Sequence, residues 1–212
     1  SGLSIVGRDY YGVFPLKGKL LNVREASVKQ RLGNEEINYL KQILGLKQEC
    51  SYESDDDFAT LRYGRIMCLT DQDVDGSHIK GLLINFFHFT WPHLVQKENF
   101  ITSMATPIVK AFKNKDVKIF YNLSEYENWR ELPSSKGYRS KYYKGLGTST
   151  SAEAKDYFHD IEDKLIRYFW DNTIEGMESE DSILLAFDKT KSDKRKDWLK
   201  DYNKNKILTY EQ

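Results

Sequence analysis

Cysteine, proline and net charge are all scarce in this sequence. Its 212 residues include two cysteines and four prolines, and Lys plus Arg balances Asp plus Glu at 32 each. Cys50 stands in an acidic polar stretch and Cys68 in an apolar run, so they form neither a disulfide framework nor a metal motif, which suits a reducing compartment. No apolar run approaches the roughly 20 residues of a membrane-spanning helix. No charged-then-apolar leader opens the chain either, and the expectation is a soluble protein with no membrane partner. The charge balance gives no bulk sign of a nucleic-acid partner. Local charge is segregated, however. Residues 1–31 carry Arg8, Lys17, Lys19, Arg24, Lys29 and Arg31 against Asp9 and Glu25, whereas "ECSYESDDD" is acidic.

What the chain has is core material. It is 40% apolar, with 11 Phe, 4 Trp and 14 Tyr, enough for one large domain or one domain plus an extension. "YYGVFPLKGKLLNVR" reads as an extended segment punctuated by Gly and Pro. "NEEINYLKQILGL" has helical spacing, with Gly45 placed to end it, and "SYESDDDFATL" reads as a loop. "YGRIMCL" has strand length, and "SHIKGLLINFFHFTW" reads as a buried helix whose stripe Phe86, Phe87, Phe89 and Trp91 faces a core. "TPIVKAF", "DVKIFYN" and "RSKYYKGLG" read as strands, and "SEYENWREL" as a helix capped by Ser124. A long helix is predicted over "STSAEAKDYFHDIEDKLIRYFW", with Thr148 or Ser149 as cap, and a charged, mostly helical segment from Met177. Alternating strands and helices predict an α/β fold with a largely parallel sheet, helices on both faces and a helical C-terminal extension.

The chemistry concentrates in "RIMCLTDQDVDGSHIKGLL", where Asp71, Asp73 and Asp75 alternate just past a strand. The C-terminal end of a strand in an open α/β sheet is where such folds bind ligands. Three like charges there repel one another unless a cation neutralises them, and a hard divalent ion with oxygen ligands does so. An ordinary acidic turn is the bland alternative. A calcium-binding helix-loop-helix fails, because "DQDVDG" needs a Glu at the twelfth loop position and Leu82 stands there. A phosphatase with Asp73 as nucleophile and Asp75 as acid is a weaker rival, lacking a suitable later acidic pair. A phosphate-binding loop is excluded at Gly12 to Gly18 by spacing and by Leu20 in the Ser/Thr position.

"GRDYYGVFPL", "PLKGKLLNVREAS", "TDQDVDGSHIKGLL" and "KYYKGLGTST" occur in this order, and together they closely resemble the metal-binding Toprim region of eukaryotic type II DNA topoisomerase. The resemblance implies an enzyme whose paired tyrosines cut both DNA strands, pass a second duplex and reseal, driven by ATP bound elsewhere. It implies Mg²⁺ as the ion, with Mn²⁺ or Ca²⁺ as substitutes, held by Asp71 and Asp73. Asp75 is then a further ligand or a group holding the metal's waters. It implies DNA contacts from Lys19 and Asn22, with Lys17 beside them, and from Lys144 and His78. His78 opening an apolar helix reads equally as a structural residue, and the "KGLG" turn as a tight structural turn. The family's third metal ligand, a Glu on an earlier strand, has no counterpart before Glu25, and neither Arg62-Tyr63 nor Arg167-Tyr168 fits the nucleophile's context. The expectation is a piece of a larger, nuclear, homodimeric enzyme, with no catalytic residue of its own. Its divisions are a Toprim core over 1–112, an insert and closing strand over 113–150, and a helical extension over 151–212.

Overall fold

The computed structural model describes residues 3–143, 145–171 and 178–201. Residues 1–170 and 171–212 form two compact units.

In the first unit a turn of helix, α1 (Leu3–Val6), precedes an irregular stretch that turns at residues 23–25 before Ser27. Ser27 and Gln30 form a capping box that starts α2 (Val28–Gly33). Asn34 caps α3 (Glu35–Leu44), and Gly45 ends it at φ 72°, a left-handed conformation natural to glycine. The stretch read as a loop contains α4 (Asp55–Ala59), because Ser54 caps it and three aspartates in its first turn complement the helix dipole. β1 (Ile66–Cys68) then leads to α5 (Val74–Thr90), which opens before Ser77 because Asp73 is its N-cap. α6 (Pro92–Gln96) has proline in its first turn.

β2 (Ile101–Met104) is buried at every residue, so its sequence lacks the alternation that would advertise a strand. β3 (Val109–Lys113) and β4 (Asp116–Phe120) form a hairpin, and α7 (Leu123–Glu131) follows. The cap of α7 is Asn122, whose Oδ1 accepts the Glu125 amide at 2.8 Å, and not Ser124. β5 (Arg139–Tyr142) leads through a short 3₁₀ turn to α8 (Ser151–Tyr157), capped by Thr150 rather than Thr148 or Ser149.

The long helix predicted after Ser149 stops at Tyr157. Asp160 adopts a left-handed φ of 52°, and Lys164 Nζ donates to the carbonyls of Asp156, Tyr157 and His159. The chain then forms β6 (Leu165–Arg167), which pairs with β2. Helical spacing in this segment yields to tertiary pairing, which supplies backbone partners and burial that propensity cannot match.

One sheet has the order β1-β2-β6 and the other β4-β3-β5. Only β1 and β2 are parallel, and the other three ladders of the described strands are antiparallel. The α/β class stands, but the largely parallel sheet is corrected. The turn between β3 and β4 is too short for a parallel crossover, and β6 returns against β2.

Phe86, Phe87, Trp91 and Phe100 fill the core beside the first sheet, with Phe87 and Phe100 edge to face at 5.2 Å. Phe89 departs from the predicted stripe. It is 41% exposed, and the guanidiniums of Arg24 and Arg31 lie 5.4 and 5.1 Å from its ring centroid. Val109, Ala111, Phe120 and Tyr126 form the core under the second sheet.

The second unit has α9 (Ser179–Phe187) and α10 (Ser192–Lys200), the helical character predicted there. Arg195 Nη1 donates to the carbonyls of Leu185 and Ala186, satisfying the end of α9. Among the described residues no helix is long and apolar enough to cross a membrane.

Candidate functional site

The turn after β1 is built by close backbone approach. A Cβ on Gly76 would lie 2.0 Å from the Asp71 carbonyl oxygen, so α5 can start this close to the strand only with glycine there. Asp73 Oδ1 accepts the Gly76 amide at 2.8 Å, which caps α5 and places a negative charge at its N-terminus. Gln72, between the acids, donates from Nε2 to the Met104 carbonyl at 3.2 Å and ties the turn to the end of β2.

Asp71 is held from the far side of the sequence. Its Oδ1 accepts the Leu146 amide at 2.8 Å, and a Cβ on Gly145 would come within 2.8 Å of its Oδ2. The glycines of "KGLG" thus serve at Gly145 to let backbone approach a carboxylate. Asp71 and Asp73 line one cleft of about 210 Å³, with Thr106, Ile108, Tyr143 and Tyr157 on its other walls. Both aspartates are thus engaged by backbone amides through Oδ1.

Asp75 points elsewhere. It does not line the cleft, and its carboxylate pairs with Lys19 Nζ at 2.8 Å. The Lys19 hydrogen bond and charge, helped by His78, hold its carboxyl below the usual carboxylate range. Among the described residues no group of three His, Cys, Asp or Glu side chains could hold a metal. Two carboxylates lining one open cleft are a donor set compatible with Mg²⁺, which typically takes one or two carboxylates and keeps several waters.

The cationic turn is anchored on two sides. The Lys17 amide donates to Glu36 Oε1 at 2.8 Å, while the Lys17 side chain is exposed. Asn22 Oδ1 accepts from Asn85 Nδ2 at 3.0 Å and from the Arg24 amide at 3.2 Å. The Oδ1 of Asn22, a residue read as a DNA contact, is therefore directed toward Asn85 and the Arg24 amide. Arg24 Nε donates to Asn85 Oδ1 at 2.7 Å, and Arg24 Nη2 meets His88 Nδ1 at 2.5 Å, with His88 stacked 4.8 Å from Trp170. His78 is exposed on the first turns of α5. Lys144 lies outside the described residues.

Two groups escaped the sequence reading. One is the Asn22–Arg24–Asn85–His88 network, signalled by two polar residues three apart inside the apolar run "LLINFFHF". The other is Glu153, signalled by the Thr150-x-x-Glu153 capping box. Its carboxylate bonds Tyr143, Lys141 and Thr150, and these partners hold its carboxyl down at about 2, Lys141 foremost.

The family model of the Toprim domain matches residues 3–106, and that of the C-terminal associated domain of TOPRIM matches 104–212. The chain is 53% identical over 207 residues to DNA topoisomerase 2 top-2 of Caenorhabditis elegans, covering 97% of this chain and 13% of that protein. It is 53% identical over 203 residues to human DNA topoisomerase 2-alpha, covering 95% of this chain and again 13% of the relative. A solved structure of the Plasmodium falciparum topoisomerase II DNA-binding, cleavage and re-ligation domain superposes with a TM-score of 0.89 at 47% identity, covering 98% of this chain and 28% of that one. With two models meeting near residue 105 and spanning nearly all of it, the chain belongs to the Toprim family, as a Toprim domain followed by its C-terminal associated domain.

Proposed function

We propose that this chain is the metal-holding, DNA-contacting part of an ATP-dependent type II DNA topoisomerase, which relaxes or decatenates duplex DNA by transient double-strand cleavage. The observation that carries it is the pair Asp71 and Asp73. Each is fixed through Oδ1 by a backbone amide and faces one cleft. The likeness to DNA topoisomerase 2 of worm and human supports the reading.

In it, Asp71 and Asp73 hold Mg²⁺, for which Mn²⁺ or Ca²⁺ can substitute. The bound ion supplies neutralisation of phosphoryl oxygens and of the departing 3′ oxygen. The protein contributes position: the Leu146 and Gly76 amides fix both carboxylates before DNA arrives. Lys19, Lys17 and His78 meet the DNA backbone as cations or donors, and Lys144, outside the described residues, is a further cation for the same task. Asn22 braces this surface from behind, and Asp75 orients Lys19.

Of the two tyrosines on the cleft wall, Tyr143 is a poor nucleophile. Burial and its bond to Glu153 push its phenol well up. Neither Arg62-Tyr63 nor Arg167-Tyr168 stands in the nucleophile's context, so the chain alone is expected to cut no DNA, with the nucleophile and the ATP site supplied by the rest of a homodimeric parent. The parent is assigned to the nucleus. A mitochondrial DNA topoisomerase 2 of Dictyostelium discoideum, 52% identical over 205 residues, makes the mitochondrion the compartment to compare.

The test is Mn²⁺ titration followed by electron paramagnetic resonance. The chain is expected to bind Mn²⁺, and Asp71→Asn and Asp73→Asn to lose it. DNA binding that ignores both the ion and these substitutions would make the chain a plain binding module. Turnover of a phosphomonoester would favour the phosphatase.

A further inference from the structure

The glycine turn that reaches Asp71 runs from Tyr143 to Thr150, and both ends are tied to one carboxylate. Glu153 Oε1 accepts from the Tyr143 hydroxyl at 2.7 Å and from Lys141 Nζ at 2.8 Å. Its Oε2 accepts the Thr150 amide at 2.9 Å and the Thr150 hydroxyl at 3.2 Å. The Tyr143 amide donates in turn to the Ile108 carbonyl at 2.8 Å, which fixes that end against the segment entering β3. Between the tied ends lie Gly145 and Leu146, the residues that touch the Asp71 carboxylate.

Helix capping accounts for only half of this arrangement. A capping box needs one oxygen of Glu153 on the Thr150 amide. The other oxygen leaves the helix for β5 and the residue after it, where it does nothing for α8. Those two bonds tie β5 and Tyr143, before the turn, to the helix that follows it.

We propose that Glu153 is a positioning residue for the metal site. It staples the two ends of the glycine turn so that the Leu146 amide grips Asp71 Oδ1. The inference rests on the reading of Asp71 as a metal ligand. Groups that orient a ligand from behind typically change metal affinity by about 10- to 100-fold when removed.

The experiment uses the whole 212-residue chain, Mn²⁺ as probe and the Leu146 amide resonance as a reporter that does not depend on metal. Glu153→Gln cannot accept through both side-chain atoms, so it is expected to shift the Leu146 resonance and weaken Mn²⁺ binding roughly 10-fold. Thr150→Ala removes the capping hydroxyl but keeps the backbone amide. It is expected to lower the melting temperature and, because the Thr150 amide still holds Glu153 Oε2, to disturb Mn²⁺ affinity and the Leu146 resonance less than Glu153→Gln does. A folded Glu153→Gln chain with wild-type Mn²⁺ affinity and an unmoved Leu146 resonance overturns the proposal. Should Glu153→Gln fail to fold, Tyr143→Phe decides by the same two readouts, since it cuts one arm and spares the cap. If the wild-type chain takes up no Mn²⁺, the metal reading falls, and the Leu146 shift alone still decides whether Glu153 sets the turn.

Discussion

Lys19 Nζ sits 2.8 Å from Asp75 Oδ1, joining the cationic turn to the first turn of α5. The side chains are 49% and 69% exposed, so the pair adds little to stability. Its consequence is directional: Asp75 holds Lys19 against the first turn of α5, the helix that Asp73 caps. Lys19→Ala is expected to weaken duplex binding about equally for all sequences and to reduce the salt slope of the affinity by about one. Asp75→Asn should leave Mn²⁺ affinity close to wild type. Fluorescence anisotropy against salt, with Mn²⁺ titration beside it, checks both. Loss of Mn²⁺ binding in Asp75→Asn equal to that in Asp71→Asn would make Asp75 a ligand.

Gly76 and Gly145 both approach Asp71, but the approaches differ in what can give way. The Cβ of Gly76→Ala would meet backbone, the Asp71 carbonyl oxygen at 2.0 Å. Relief requires moving β1 or α5, and a loss of about 1–3 kcal/mol or more is expected. The Cβ of Gly145→Ala would meet the carboxylate oxygen Oδ2 at 2.8 Å, the end of a side chain that can rotate. That variant should melt close to wild type and lose Mn²⁺. Thermal melting and Mn²⁺ titration on the two proteins separate the outcomes, and equal melting of both would contradict the backbone argument.

How much of this could be read from residues depended on whether the determining contact was local. The α3 helix was legible because its spacing and Gly45 are local signals, and the acid turn because three alternate aspartates after an apolar run are unusual. β2 was hidden because burial on both faces erases alternation, and β6 because its helical spacing is overruled by pairing with β2. The same limit applied at the site. Asp71, Asp73 and Lys19 are conspicuous as residue types. The inward turn of Asn22, the pairing of Asp75 with Lys19 and the reach of Leu146 to Asp71 are contacts across 63, 56 and 75 positions, which no local window contains.

Glu153 gives the fold an acid-sensitive joint. Its carboxyl is held at about 2 by Lys141 first, then by the Thr150 amide and the Tyr143 hydroxyl, against an unperturbed 4.5. The folded value is depressed, so the stability it contributes is present above about pH 4.5 and lost as pH falls toward 2. Glu153→Gln has no such proton to take up. The gap in melting temperature between wild type and this variant should therefore be largest near neutrality and narrow through that window. A gap that stays constant down to the acid end would show that Glu153 is not held this way.

Asp73 has separate tasks for its two oxygens, and two substitutions pull them apart. Oδ1 caps α5 through the Gly76 amide, a role that asparagine fills as well as aspartate. Asp73→Asn should keep the melting temperature of wild type while losing Mn²⁺, since an amide oxygen cannot replace the charge of a carboxylate against a divalent ion. Asp73→Ala removes the cap as well, and a further loss of about 0.5–2 kcal/mol of stability is expected. If Asp73→Asn is destabilised as much as Asp73→Ala, the charge and not the hydrogen bond starts the helix, through its interaction with the helix dipole. If Asp73→Asn keeps its Mn²⁺, the ion rests on Asp71 without it, and the paired-carboxylate site is the wrong description of the cleft.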